Sequence, residues 1–185
     1  MKTDMLLIPH IRIARRVNDV MRSKFQIKLS PAIFALGSIF PDIAKHTNTG
    51  YHDVHEAVST VQDYQSRQPR SRWGESFRLG IICHYTADSF CQVHIHHNDY
   101  TLRQHMKYEM QQSRQMKRQL GTARELAMAC SYPTRAAALE AFLQDHREFV
   151  ANRRSYVEET NAVVKNCVLV LHGLGPRGKA LKTGA

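Results

Sequence analysis

Two histidine–carboxylate pairs at helical spacing constrain this chain more than any other feature. In the stretch from Phe77 to Glu109, Asp88 follows His84 by four residues and Glu109 follows His105 by four. On an α-helix that offset puts both side chains of a pair on one face, within reach of a single cation. Imidazole and carboxylate together are the donor set that zinc and related divalent metals prefer. His94, His96 and His97 lie between the pairs, so the stretch predicts a multinuclear metal site carried on helices. Each pair alone is weak, because helix faces carry such residues by chance. The order and spacing of the pairs, together with the Pro41-Asp42 turn, make the signal specific.

The rest of the chain reads as helices around that stretch. Ile13, Ala14, Val17, Val20 and Met21 recur at helical spacing and predict a first helix from Pro9 to about Lys24. His10 falls on the same stripe, where it reads either as a core histidine with a backbone partner or as a ligand. Ser30-Pro31 is a helix start, with serine at the cap and proline in the first turn. AIFALGSIF then reads as a nearly all-round apolar helix that Pro41 stops, leaving Asp42 at an interior helix end. An unpaired carboxylate there is costly, which favours a partner for it.

A polar loop leads to a helix capped by Asp53 with Glu56, and His46, His52 and His55 are candidate ligands in this region. A long helix is expected from about Ser76 to His94, with Gly80 marking close helix packing. The next spans roughly Tyr100 to Leu120, with Arg103, Lys107, Arg114, Lys117 and Arg118 mostly on a solvated face. Thr122 and Glu125 predict a short helix ending near Cys130. Pro133-Thr134 opens another, with Ala137, Ala138, Ala141, Phe142 and Phe149 on its apolar side, and a last helix runs from about Asn152 to His172. No strand or repeat is evident. The architecture expected is an all-α multi-helix bundle: one metal-binding domain over residues 1–172 and a flexible basic tail over 173–185.

Charge narrows the partners. A formal net charge of +10 on 185 residues favours phosphate esters, acidic lipid headgroups or nucleic acid. The four cysteines, Cys83, Cys91, Cys130 and Cys167, form no C-x-x-C pair and read as buried reduced thiols. MLLIP is too short for a leader and is followed by His10, Arg12, Arg15 and Arg16. No segment approaches the roughly 20 apolar residues of a membrane span. A cytoplasmic location is expected.

These motifs together resemble the zinc-dependent phospholipase C family, which is related in fold to single-strand-specific zinc nucleases. HIRIARRVNDVM resembles the family's first helix, which begins with a ligand histidine, here His10. LGSIFPDI resembles the segment whose aspartate binds zinc and has been proposed as general base, here Asp42. LGIICHYTADSFCQVH resembles the central helix and the histidine after it, giving His84, Asp88 and His94. HMKYE gives His105 and Glu109. His52 corresponds best to the remaining ligand histidine, with His55 as the alternative, and His96 and His97 have no counterpart.

The resemblance implies one zinc held by His84, Asp88, Asp42 and His52. It implies a second held by His10 and the bridging Asp88, and a third by His94, His105 and Glu109. In secreted members a terminal residue exposed by leader removal adds two ligands near the first histidine. Nine residues precede His10 here, so two or three ions are expected. The implied activity is phospholipase C-like hydrolysis of a phosphodiester by metal-activated water, with Asp42 orienting or deprotonating that water. The rival readings are a zinc nuclease or nucleotidase that stacks bases on aromatics such as Trp73, Tyr85, Phe90, Tyr100 and Tyr108, and a non-catalytic metal-stabilised binding module.

Overall fold

A computed structural model describes residues 4–44, 53–67, 69–96, 99–118, 134–152 and 154–174. Among these residues there are eight α-helices and no strand, the all-α bundle expected from the sequence. They are α1 (Asp4–Phe25), α2 (Pro31–Ile43), α3 (Val54–Ser66), α4 (Arg72–Ser89), α5 (Gln92–Ile95), α6 (Leu102–Arg118), α7 (Arg135–Val150) and α8 (Tyr156–Leu174).

Local chemistry sets most of the boundaries. Asp53 caps α3 by accepting from the N–H groups of His55 and Glu56 at 2.9 and 3.1 Å. Thr134 caps α7 by accepting from Ala137 at 3.1 Å. Several boundaries differ from those expected. α1 begins at Asp4 rather than near Pro9, because a proline in the second turn removes one backbone bond without preventing helix on either side. Pro41 likewise lies inside α2, which continues to Ile43 and closes with the Ala44 N–H on the Phe40 carbonyl at 2.8 Å.

α4 starts at Arg72 because Ser71 accepts from the Gly74 N–H at 3.0 Å. It ends at Ser89, short of His94, and the chain turns at Phe90. That ring is fully buried against Phe142 and Phe149, with centroids 5.8 and 5.2 Å away. His94 therefore rides on the short α5. α8 starts at Tyr156 rather than Asn152. Ser155 and Glu158 form a capping box there, the Glu158 carboxylate accepting from both the N–H and the hydroxyl of Ser155 at 2.8 Å. The short helix expected between Thr122 and Cys130 lies outside the described residues.

α4 and α8 form the centre, with α1, α2, α3, α6 and α7 packed around them. Leu79, Ile82 and Cys83 of α4 meet a buried stripe of α8 that includes Val163, Val164, Cys167 and Leu171. Val17, Val20 and Met21 of α1 and Phe34 of α2 complete this core, and each such burial stabilises by about 1.5–3 kcal/mol. The closest approach is between α2 and α4, where Gly37 and Gly80 face each other across backbone. A Cβ on Gly80 would lie 2.9 Å from both the Gly37 Cα and the Ser38 N. At the start of these two helices the Ser30 N–H donates to the Ser76 hydroxyl at 2.9 Å. This contact lays the C-terminal half of α2 directly against the middle of α4.

Candidate metal centre

Five helices converge where α2 and α4 touch. α1 brings His10, α2 brings Asp42, α4 brings His84 and Asp88, α5 brings His94, and α6 brings His105 and Glu109. Asp88 lies at the middle. Its Oδ1 is 3.4 Å from His10 Nε2 and 3.7 Å from His94 Nε2, and its Oδ2 is 3.2 Å from His84 Nε2. Asp42 faces the same pair of rings, with Oδ1 3.7 Å from His84 Nε2 and Oδ2 3.8 Å from His10 Nε2. Glu109 Oε1 lies 2.8 Å from His105 Nε2 and 3.2 Å from His94 Nε2.

The donors form two groups that could each hold a metal ion: His10 with Asp42 and His84, and His94 with His105 and Glu109. Within each group the ligand atoms lie within 4.8 Å of one another. Four ligands about 2.0–2.1 Å from a tetrahedral zinc are separated from each other by about 3.4 Å. The imidazole–carboxylate distances around Asp42 and Asp88, 3.2 to 3.8 Å, bracket that spacing.

The tautomer of His84 adds an independent argument. Its Nδ1 is 2.9 Å from the Ser38 carbonyl, which can only accept, so Nδ1 carries the proton. In the neutral ring Nε2 then presents a lone pair to two carboxylates. Lone pair against anion is unfavourable in a site with no solvent on the ring, and a shared cation resolves it. A ligand imidazole held by its other nitrogen on a backbone carbonyl is the usual support in metal sites. Glu109 Oε2 is also buried, with no hydrogen-bond partner among the described residues. The donor set therefore fits zinc.

Electrostatics in the second group follow the same geometry. Burial works against charge on His94, but the carboxylates of Asp88, Glu109 and Asp42 outweigh it and raise the pKa to about 9. For Glu109, burial pushes the pKa up, while hydrogen bonds from His105 and His94 more than offset it and hold it below the usual value.

The structure thus brings together seven of the eight expected metal residues, and His52 lies outside the described residues, as does His46. His55 is exposed at the start of α3 and joins neither group, and His96 is exposed at the end of α5. His10 sits beside Asp42 and His84 as well as Asp88, so the first two ions expected from the sequence share one set of donors.

Two supports were not anticipated from the sequence. One is the Ser38 carbonyl, for which a sequence carries no signal. The other is Glu159 of α8, fully buried, which accepts from the Tyr108 hydroxyl and the Gln112 amide at 2.5 Å each. These bonds brace α6 on either side of Glu109. Burial raises the Glu159 pKa to about 7 against the lowering effect of its donors, Tyr108 first among them. The helical phase it shares with Val163, Asn166 and Val170 would have placed it on the buried stripe.

No described helix is long and apolar enough to cross a membrane. Neither the curated proteins nor the solved structures include a match to the chain. The profile of the family described as Zinc dependent phospholipase C matches residues 9–156, which take in every histidine and carboxylate of the two groups, and the chain belongs to that family.

Proposed function

We propose that the protein is a phospholipase C-like phosphodiesterase, adding water to a phosphodiester to give a phosphomonoester and an alcohol. The observation that carries this reading is Asp88, a buried carboxylate facing three imidazoles from three helices. Asp42, His84 and Asp88 would hold one ion, joined by His52. His94, His105 and Glu109 would hold another, and His10 with Asp88 is the position for a third. Zinc bound there supplies Lewis acidity that polarises the phosphoryl group and makes hydroxide available near neutral pH.

The chain's own groups divide the remaining work. Asp88 is almost fully buried, its side chain 3% exposed, which suits a fixed anion that would hold metal between His10, His84 and His94. Asp42 is 18% exposed and is the carboxylate of this group that solvent reaches. In this reading it orients the attacking water and takes its proton as the new P–O bond forms and the bond to the leaving alcohol oxygen breaks. Ser38 fixes the plane of His84, and Tyr108 and Gln112, held by Glu159, fix the register of His105 and Glu109. The buried free thiols of Cys83, Cys91 and Cys167 support the cytoplasm as the site of action.

Parallel assays of zinc-loaded protein on a monomeric short-chain phosphatidylcholine, single-stranded DNA and a nucleoside monophosphate test the reading. Cleavage of the first to a phosphomonoester, reduced by Asp42→Asn far more than metal content is, is the expected result. Turnover confined to DNA or the nucleotide would replace it with a nuclease or nucleotidase. Two ions bound and no turnover on any of the three would leave a metal-stabilised binding module.

A further inference from the structure

α2 is apolar on all sides, yet only one side of it is covered. PAIFALGSIFPDI carries a single charged residue, Asp42. Phe34, Gly37, Ser38 and Pro41 are buried against the bundle. Ala32, Leu36, Phe40 and Ile43, at intervals of four, four and three, are exposed on the opposite side. Leu36, Phe40 and Ile43 are 47%, 41% and 49% exposed, where surface helices carry polar groups. The stripe continues onto α4. Phe40 meets the Phe77 ring edge-on at 5.1 Å, and one turn earlier on the same α4 face stands Trp73, 70% exposed.

Cations stand at the Trp73 end of this stripe. Arg70 and Arg72 precede Trp73 in the chain and are exposed, and the Arg72 Nε donates to the carbonyl of the exposed Lys28 at 3.2 Å. The other end of the stripe runs into the metal centre, since Asp42 lies between Pro41 and Ile43.

We propose that the outer face of α2, with Phe77 and Trp73, docks the protein onto an anionic phospholipid bilayer. Leu36, Phe40 and Ile43 enter the interfacial layer, Trp73 sits at headgroup depth, and Lys28, Arg70 and Arg72 pair with lipid phosphates. The commitment to a bilayer rests on charge complementarity. The chain carries a net charge of +10, and the stripe ends in three cations beside an exposed indole, an arrangement that a second copy of the same basic face would repel. The proposal deepens the phosphodiesterase reading by making the substrate a lipid met at its own surface.

The single tryptophan makes the test direct. Trp73 emission would be followed on titration with vesicles of phosphatidylglycerol and phosphatidylcholine, alongside co-sedimentation. A blue shift is expected with anionic vesicles, weakened by salt and by purely zwitterionic vesicles. The double substitution Leu36→Ser, Phe40→Ser should lower vesicle affinity on the order of tenfold or more and reduce hydrolysis of vesicle lipid in proportion. It should still unfold cooperatively, with a melting temperature only a few degrees below the parent's from loss of the Phe40–Phe77 contact, and its hydrolysis of monomeric short-chain substrate should match the parent. An unshifted Trp73 spectrum with anionic vesicles would overturn the docking face while monomer hydrolysis leaves the phosphodiesterase reading standing. Vesicle binding that depends on Leu36 and Phe40, in a protein that cleaves no phosphodiester, would sustain the face and sink the reading. Self-association abolished by the double substitution, without vesicle binding, would assign the face to a second copy and overturn the proposal.

Discussion

Gly80→Ala should damage the metal centre from a full helical turn away. Gly80 lies one turn before His84, at the point where α4 meets α2. A methyl there would overlap the Phe34 carbonyl and approach the Gly37 Cα and Ser38 N to 2.9 Å. All three are backbone atoms, so no rotamer change relieves the contact and the helices must part by on the order of 1 Å. The change gains about 1 kcal/mol of helix propensity. Overpacking against backbone costs about 3 kcal/mol, so the net loss is about 2 kcal/mol, a fall in Tm of about 4–8 °C for a chain of this size. The same separation stretches the 2.9 Å bond from His84 Nδ1 to Ser38 and moves Asp42 from His84. Loss of such a support lowers metal affinity about 10–100-fold. Thermal denaturation combined with zinc competition against a chromophoric chelator reads both effects. Gly173→Ala is the control. It places a Cβ 2.6 Å from the Ala138 Cβ, between α8 and α7, and should lower Tm while leaving zinc affinity unchanged. A Gly80→Ala protein with parental Tm and parental zinc affinity would refute the claim that helix contact positions the site.

Asp88→Asn keeps the shape of the side chain but removes the charge facing three imidazoles, so zinc content and phosphodiester turnover should fall together, measured by elemental analysis and single-substrate kinetics. Turnover lost with full metal content would mean that Asp88 does not bridge. For Glu159, the folded pKa near 7 lies above its ordinary 4.5, so the fold takes up a proton and stability contributed by this group declines as pH rises from about 4.5 to 7. At about 1.36 kcal/mol per pH unit the decline is on the order of 3 kcal/mol. Denaturant unfolding of Glu159→Gln should lack it, and a parallel pH profile for both proteins would contradict this. Removal of metal with a strong chelator should lower Tm by tens of degrees, since structural zinc contributes apparent free energies on the order of 10 kcal/mol. An unchanged melting curve after verified removal would count against a metal-built interior.

The helices were legible because their signals are local. Asp53 with Glu56, and Thr134 before an alanine-rich stripe, are caps that depend on three or four neighbouring residues. Legibility failed where a boundary depends on distant packing. Nothing near Ser89 stops α4 on propensity alone; the chain turns because Phe90 fits between rings of α7. Pro9 and Pro41 misled in the opposite sense, since each removes one bond from a helix that packing sustains. Of the site, His84 with Asp88 and His105 with Glu109 could be read from helical spacing. His10 needed the family resemblance, because nothing local distinguishes a ligand histidine from a core one, whereas Asp42 was marked as needing a partner by its place at an interior helix end. Ser38 could not be read at all, as its contribution is a backbone carbonyl. Glu159 was readable from its phase on α8, but only as buried, not as the anchor of Tyr108 and Gln112.

The central claim is that side chains from five helices meet to bind zinc. Elemental analysis of tag-free protein, equilibrated with zinc and dialysed, tests it most directly. One ion for each donor group predicts about two zinc ions per chain, rising toward three if the position at His10 and Asp88 also fills. A stoichiometry well below one, in protein shown to be folded, would contradict the account.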